Sequence, residues 1–431
     1  MSMKKTFSKN IFGLLANSGF HNMIVIYMNT FLVAYLLNVS SGNFFNVALY
    51  YVISYLVMIV AYTLFSFLVC KVNKIILVRM GIFMQCVILA VMAFSQSQIV
   101  DYLIPIAIIY NTSNALYWSG LNALSNEVVK GKMLQNYNTY SSVISGITSI
   151  VIPVIFGRII DNSSLFVIAT LATIIGILQM ISTLFIDKPN ITHKKLDFKG
   201  YFRECYNTGH KSCYKLLFFG YITYGCKDAI SVLITMLIVL TFQTNTSLGA
   251  INSIISCLTI ITLIITNKKY HSKNANLFLY IGGITVISML LLIININKPA
   301  IIFFNICYSS LLAILNRSFA IKRSGLIRAV DKKQYIVEHQ AITELFLNIG
   351  RVTFYSILLI ASFTTQLWVY QSLVAIGMSF ICLYGVFSYL LEKEYNKILI
   401  EREFKKQQNK TIESPELIPC YSNPNNETIL R

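Results

Sequence analysis

CYKLLFFGYITYGCKDAISVLITMLIVLTF, residues 213–242, carries charge only at Lys215 and at the adjacent pair Lys227 and Asp228. A predominantly apolar run of this length reads as a helix that crosses a bilayer, because about 20 residues at 1.5 Å each span the hydrocarbon. A transmembrane barrel strand would be a run of about ten residues in strict alternation, which this is not. In lipid the backbone must satisfy its own hydrogen bonds, and a continuous run does so as an α-helix.

The same reading repeats along the chain. Apolar runs fall at 11–38, 44–70, 75–95, 101–124, 137–160, 163–186, 213–242, 247–267, 275–297, 299–321, 337–363 and 367–391. The first follows Lys4, Lys5 and Lys9 and is too long for a signal-peptide core, so it is read as a retained span. Hydrophobic residues make up 56% of the 431 and charged residues only 12%, against about 25% charged in a soluble domain.

The bases set the topology. With the N-terminus inside and the spans alternating, 30 of the 35 Lys and Arg fall on the inner side, Arg158 and Lys298 fall outside, and Lys227, Arg317 and Arg351 lie within spans. That asymmetry supports both the span count and cytoplasmic N- and C-termini in a multi-pass plasma-membrane protein. It also accounts for the net charge of +18 without nucleic acid, since the bases sit in short loops between apolar runs.

Several chemistries lack their motifs. There is no Gly-x-x-x-x-Gly-Lys-Ser/Thr loop, no His-Glu-x-x-His and no Gly-x-Ser-x-Gly, so neither an ATP-driven pump nor an enzyme is expected. The nine cysteines show no metal spacing and fall mostly inside apolar runs, so no metal, cofactor or disulfide framework is implied.

The spans group as six and six around a polar, basic stretch. The expected organisation is an N-terminal six-helix bundle at 1–187, a cytoplasmic central loop at 188–212, a C-terminal six-helix bundle at 213–392 and a cytoplasmic tail at 393–431. The halves echo one another: GFHNMI at 19–24 and GCKDAI at 225–230 share a glycine, a basic-type residue, an Asn or Asp, and an Ile near mid-span. Internal repeats are a mark of transporter folds.

This plan resembles the major facilitator superfamily, as an all-α membrane fold of twelve helices in two pseudo-symmetric bundles. Residues 66–74, SFLVCKVNK, stand where that family has Gly-x-x-x-Asp-Arg-x-Gly-Arg; the bases remain, while the glycines and the acid are replaced. Residues 152–157, IPVIFG, keep Pro153 and Gly157 of the Gly-Pro-x-x-Gly-Gly element of its drug antiporters. Tyr117, Trp118 and Asn122, with LNIGR at 347–351, are similar to bacterial members without an assigned substrate. The resemblance implies a secondary transporter, and the fifth-span element leans toward efflux by antiport.

Charges inside spans mark the candidate site, since they are costly in lipid and normally face a bundle interior or an aqueous cavity. At 1.5 Å per residue Asp228 lies about 22 Å and Arg351 about 21 Å along their spans, so the two can meet near the midplane. Glu344 is about 10 Å in and Arg317 roughly 6 Å from its span's inner end, which would allow a second, shallower pair. Glu344, Asn348 and Arg351 share one helix face. Asp228 and Glu344 are the candidate proton-coupling acids; Arg351, Arg317 and Lys227 are their partners or would bind an anionic group. The plainer reading of these charges is a permanent ion pair that holds the second half together.

Candidates for the cavity wall are His21, Asn22, Asn114, Trp118, Asn122, Tyr221, Tyr224 and Asn348; for each alone, ordinary helix packing is the plainer reading. The expected function is proton-coupled efflux of a small organic solute by a monomer. The rivals are proton-coupled uptake of an anionic solute and a non-transporting membrane receptor or assembly factor.

Overall fold

The computed structural model describes residues 9–129, 132–163, 165–187, 195–207, 211–269, 276–294, 296–329, 335–364 and 366–413. The described residues form thirteen helices and no strand. The first six are α1 (Lys9–Val39), α2 (Phe45–Val69), α3 (Lys74–Ser95), α4 (Leu103–Val128), α5 (Lys132–Asn162) and α6 (Leu165–Ser182). A short helix, α7 (Phe198–Asn207), follows, and then α8 (Lys211–Phe242), α9 (Asn245–Lys269), α10 (Asn276–Ile294), α11 (Lys298–Ala329), α12 (Ile336–Ala361) and α13 (Leu367–Glu413). Within α1 a π-helical turn covers Tyr27–Phe31.

Ten of these helices are long and apolar enough to cross a membrane, and Leu279–Ile294 is a shorter apolar one. Leu103–Val128 has the length without the hydropathy. Its amides answer for that: Asn111 Nδ2 donates to Ser54 Oγ at 2.7 Å and to Ala107 O at 2.9 Å, inside the bundle. A polar residue paired with a neighbouring helix replaces the water it lacks in lipid. The linker, read from sequence as a loop, contains α7, which docks by Tyr201 Oη against His339 Nδ1 at 2.8 Å.

The packing repeats. In the first half α1 packs on α5 and α6, α2 on α4, and α3 on α4 and α6. In the second half α8 packs on α12 and α13, α9 on α11, and α10 on α11 and α13. Advancing each label by seven turns the first set into the second. The bundles meet through α2 on α12 and α5 on α9, and the same operation exchanges those two pairs. The fold therefore consists of two pseudo-symmetric six-helix bundles, as expected.

Glycines set the closest crossings. A Cβ on Gly225 would overlap Leu347 O, and one on Gly350 would overlap Ile222 O. The two backbones are thus in direct contact where α8 crosses α12, as small residues allow in membrane helices. At the α5–α9 seam Gly157 faces Asn245 O and Gly249 faces Pro153 O in the same way.

Candidate functional site

A cavity of about 490 Å³ lies on the seam between the bundles. One side is built by α1, α2 and α5, with Asn29 and Thr30 from the π-turn, Tyr51, Tyr55, and Ser142, Ser145 and Ser149 in a stripe. The other side comes from α8, α9, α11 and α12, including Asp228, Ser231, Thr235, Asn252, Ser256, Tyr308 and Tyr355. The π-turn carries one extra residue per hydrogen-bonded ring, which re-aims side chains, and such turns recur at functional sites.

The Gly225–Gly350 crossing places Asp228 one turn on from the contact and beside Arg351. Arg351 Nη2 and Nε donate to Asp228 Oδ2 at 2.7 and 3.0 Å. Arg351 Nη1 donates to Asn348 Oδ1 at 3.0 Å, and the guanidinium lies 4.9 Å from the Tyr55 ring centroid. Asp228 lines the cavity and Arg351 stands behind it. Tyr51 and Tyr355 stack at 4.6 Å, and Tyr55 stacks on Tyr355 at 5.6 Å, which joins α2 to α12 across the bundle seam.

Lys227 points elsewhere, as adjacent helical residues must. It is 3% exposed, 4.4 Å from the Tyr224 centroid, with Tyr384 and Tyr308 at 5.7 and 5.8 Å. Its Nζ donates to Asn316 Oδ1 at 3.4 Å, which also accepts from Tyr384 Oη at 3.0 Å.

At the end of the bundle away from the N-terminus the seam is shut. Asp161, the penultimate residue of α5, accepts from Asn245 N and Nδ2 at 3.1 and 2.9 Å and from Thr246 N at 2.7 Å. It caps the first turn of α9, a helix of the other bundle, where a carboxylate is favoured. The pseudo-symmetric seam between α2 and α12 is closed at that end by Phe45 against Phe363 at 5.6 Å.

No family model matches the chain. The uncharacterized protein YqgE of Bacillus subtilis (strain 168) is 20% identical over 365 residues, 80% of this chain and 81% of that protein. Among solved structures, a bacterial homologue of the iron transporter ferroportin in its inward-facing state superposes with a TM-score of 0.62 at 14% identity, over 91% of this chain and 100% of that one. Its outward-facing state gives 0.60 at 13%, over 90% and 98%, and a bacterial metal transporter gives 0.60 at 13%, over 92% and 100%. The fold is of the major-facilitator type.

Within that fold the sequence candidates take three positions. Asp228 reaches the cavity and Arg351 reaches Asp228. Asn348 supports Arg351, Tyr224 faces Lys227, and Tyr221 and Tyr224 pack on Phe319, outside the cavity lining. Glu344 is half-buried and makes no hydrogen bond or ion pair among the described residues, while Arg317 is exposed, so the shallower pair does not form. Their spacing along the helices permitted it, but α11 packs on α8, α9 and α10, whereas α12 packs on α2 and α8.

The first-half candidates belong to the N-terminal bundle and do not line the cavity, and Trp118 is exposed on its surface. His21 stacks on Tyr117 at 4.0 Å, with Trp118 edge-on at 5.1 Å. Asn22 Nδ2 bonds Thr148 Oγ1 and Ser145 O, and Asn122 Nδ2 donates to Tyr62 Oη at 3.3 Å. Asn114 Oδ1 is buried without a hydrogen bond. The hydroxyl stripes on α5, α8 and α9 were missed; each repeats at three- or four-residue intervals, a signal visible in the sequence but common in membrane helices.

Proposed function

We propose that this chain is a secondary active transporter that works by alternating access, moving a small organic solute outward in exchange for protons. It would act as a monomer in the plasma membrane, with both termini cytoplasmic and with residues 1–187 and 213–392 as the two moving bodies. The observation that carries the reading is the solute-sized cavity on the seam of two pseudo-symmetric bundles, with an ion pair in its wall and one end clamped. Rocking the bundles about the seam would break the Asp161 clamp and expose the cavity to the opposite side. Asp228 and Glu344 are the acids assigned to proton uptake and release, with Arg351 as the partner whose distance changes between states.

In proteoliposomes under an imposed pH gradient, the Asp228→Asn variant is expected to lose proton-driven flux while keeping its helical content and its elution as a single species. Undiminished coupled flux would remove Asp228 from the mechanism. A second reading, transport of a metal cation, is favoured by what the similar structures are named for. Uptake of Mn²⁺ or Fe²⁺ into the same vesicles, dependent on Asp228, would support it over the organic solute.

A further inference from the structure

The direction of the hydrogen bonds in the cavity wall points to what the cavity holds. A hydroxyl has one proton and two lone pairs. On the C-terminal side three hydroxyls of α8 and α9 have already committed their protons: Ser231 Oγ donates to Asp228 O at 2.6 Å, Thr235 Oγ1 to Ser231 O at 3.0 Å and Thr259 Oγ1 to Ile255 O at 2.8 Å. Tyr308 Oη likewise donates to Lys227 O at 2.6 Å. These four groups offer a ligand lone pairs only.

The charges are arranged to the same effect. Asp228 Oδ2 takes both guanidinium contacts, and Oδ1 makes no hydrogen bond among the described residues. The Asp228 side chain is 35% exposed and lines the cavity, whereas Arg351 is 19% exposed and does not. Lys227 is screened by Tyr308, whose ring belongs both to the cavity wall and to the lysine's surroundings. Around Asp228 the cavity therefore meets a carboxylate oxygen and hydroxyl lone pairs, with both cations of this region turned away from it, while the amides of Asn29, Asn252 and Asn305 line the rest of the wall.

We propose that the cavity binds a small organic cation that carries its charge on N–H groups, a primary or secondary ammonium or a guanidinium, held by Asp228 Oδ1 and the hydroxyl oxygens of α8 and α9. The assignment names the substrate class for the transport reading above and rests on it. A quaternary ammonium has the charge but no N–H to give these acceptors. An organic anion would face a carboxylate. A hard divalent metal ion takes six to eight oxygen ligands, commonly several carboxylates, and Asp228 is the sole carboxylate among the described residues that line the cavity.

The test uses the purified full chain, with thermal unfolding as the readout. The probes are n-butylammonium, n-butylguanidinium, n-butyltrimethylammonium, butyrate and Mn²⁺. Both N–H cations are expected to stabilise the protein at concentrations about tenfold below those n-butyltrimethylammonium requires, the equivalent of about 1.4 kcal/mol. Butyrate and Mn²⁺ are expected to give no shift. Thr235→Val, which removes an acceptor and leaves the ion pair in place, should weaken n-butylammonium several-fold and leave n-butyltrimethylammonium unchanged.

Equal potency of the ammonium and trimethylammonium probes, a shift from butyrate or Mn²⁺ alone, or no response to either N–H cation would overturn the assignment. pH-driven flux of another solute class together with no response to N–H cations would overturn it while leaving the transport reading intact. Absence of flux for every solute class would remove that reading as well.

Discussion

Asp228 and Arg351 hold two charges in a helix bundle at a separation of 2.7 Å, and their value depends on both being present. Removing one partner of a buried pair leaves the other uncompensated, at about 3–5 kcal/mol when burial is complete. This pair opens partly onto the cavity, so Arg351→Gln is expected to cost less, roughly 1–3 kcal/mol. Asp228→Asn combined with Arg351→Gln should recover most of that loss, read as the midpoint of thermal unfolding. A double variant no more stable than Arg351→Gln alone would show that the two charges are not coupled. Lys227 is predicted to behave in the opposite way. Its ammonium has no carboxylate partner among the described residues, only tyrosine faces and a long bond to an amide oxygen. Lys227→Met keeps the stem and removes the desolvation penalty, so stability should stay level or rise, while Lys227→Ala leaves a void and should lower it. The sequence marked all three residues, because charge in an apolar run is conspicuous. It left open which of two adjacent residues faces the cavity, since that depends on how far α8 is rotated about its axis.

The elements explain why the motif echo was meaningful. Asn22 in α1 bonds to α5, and Asp228 in α8 bonds to α12, which are the pseudo-symmetric equivalents of one another. Gly19 and Gly225 mark the same two crossings: a Cβ on Gly19 would lie 2.9 Å from Ile144 Cγ2, and one on Gly225 would meet the backbone of α12. His21 and Lys227 follow suit, each packed against aromatic rings. Six residues of sequence thus carried a repeat that the fold makes physical. The faces of α4 were less legible. Asn114, Trp118 and Asn122 form a stripe, and that stripe was expected at the cavity; instead Asn111 and Asn122 bond to α2, and Trp118 packs beside His21 of α1. Periodicity tells which residues share a face, and only the packing of neighbours tells where that face points. The Gly225–Gly350 crossing yields the prediction at this scale. Gly225→Ala meets backbone rather than a movable side chain, so α8 and α12 must separate, at roughly 1–3 kcal/mol or more for overpacking. Because Asp228 and Arg351 sit on that crossing, loss of stability and loss of coupled flux should appear together, with Gly283→Ala as the control, since nothing lies within 4 Å of a Cβ there.

At the scale of the molecule the question is which contacts must break for the bundles to rock. Span number and the division into halves followed from hydropathy and from where the bases lie, but the clamped end had no signature in composition: Asp161 is one acid at a helix end, and its partners are backbone N–H groups 84 and 85 residues away. Its position across the seam gives it consequence. The carboxylate of one bundle caps a helix of the other, and Phe45 and Phe363 repeat the closure with rings on the symmetric seam. Capping interactions are worth about 0.5–2 kcal/mol, so losing this closure should shift the balance between states by roughly two- to thirtyfold without unfolding either bundle. In a background with the nine native cysteines replaced, a single Cys at Thr235 in the cavity wall should be labelled faster by an impermeant maleimide from that end when Asp161 is Ala than when it is Asp. The reverse constraint is sharper. Cysteines at positions 161 and 245, joined by a short bifunctional methanethiosulfonate, would hold the seam shut chemically where hydrogen bonds hold it now. Flux should stop on cross-linking and return on reduction, while either single-cysteine variant treated in the same way keeps its flux. Continued transport with the link in place would mean that this end does not open, and that the solute leaves the cavity by another route.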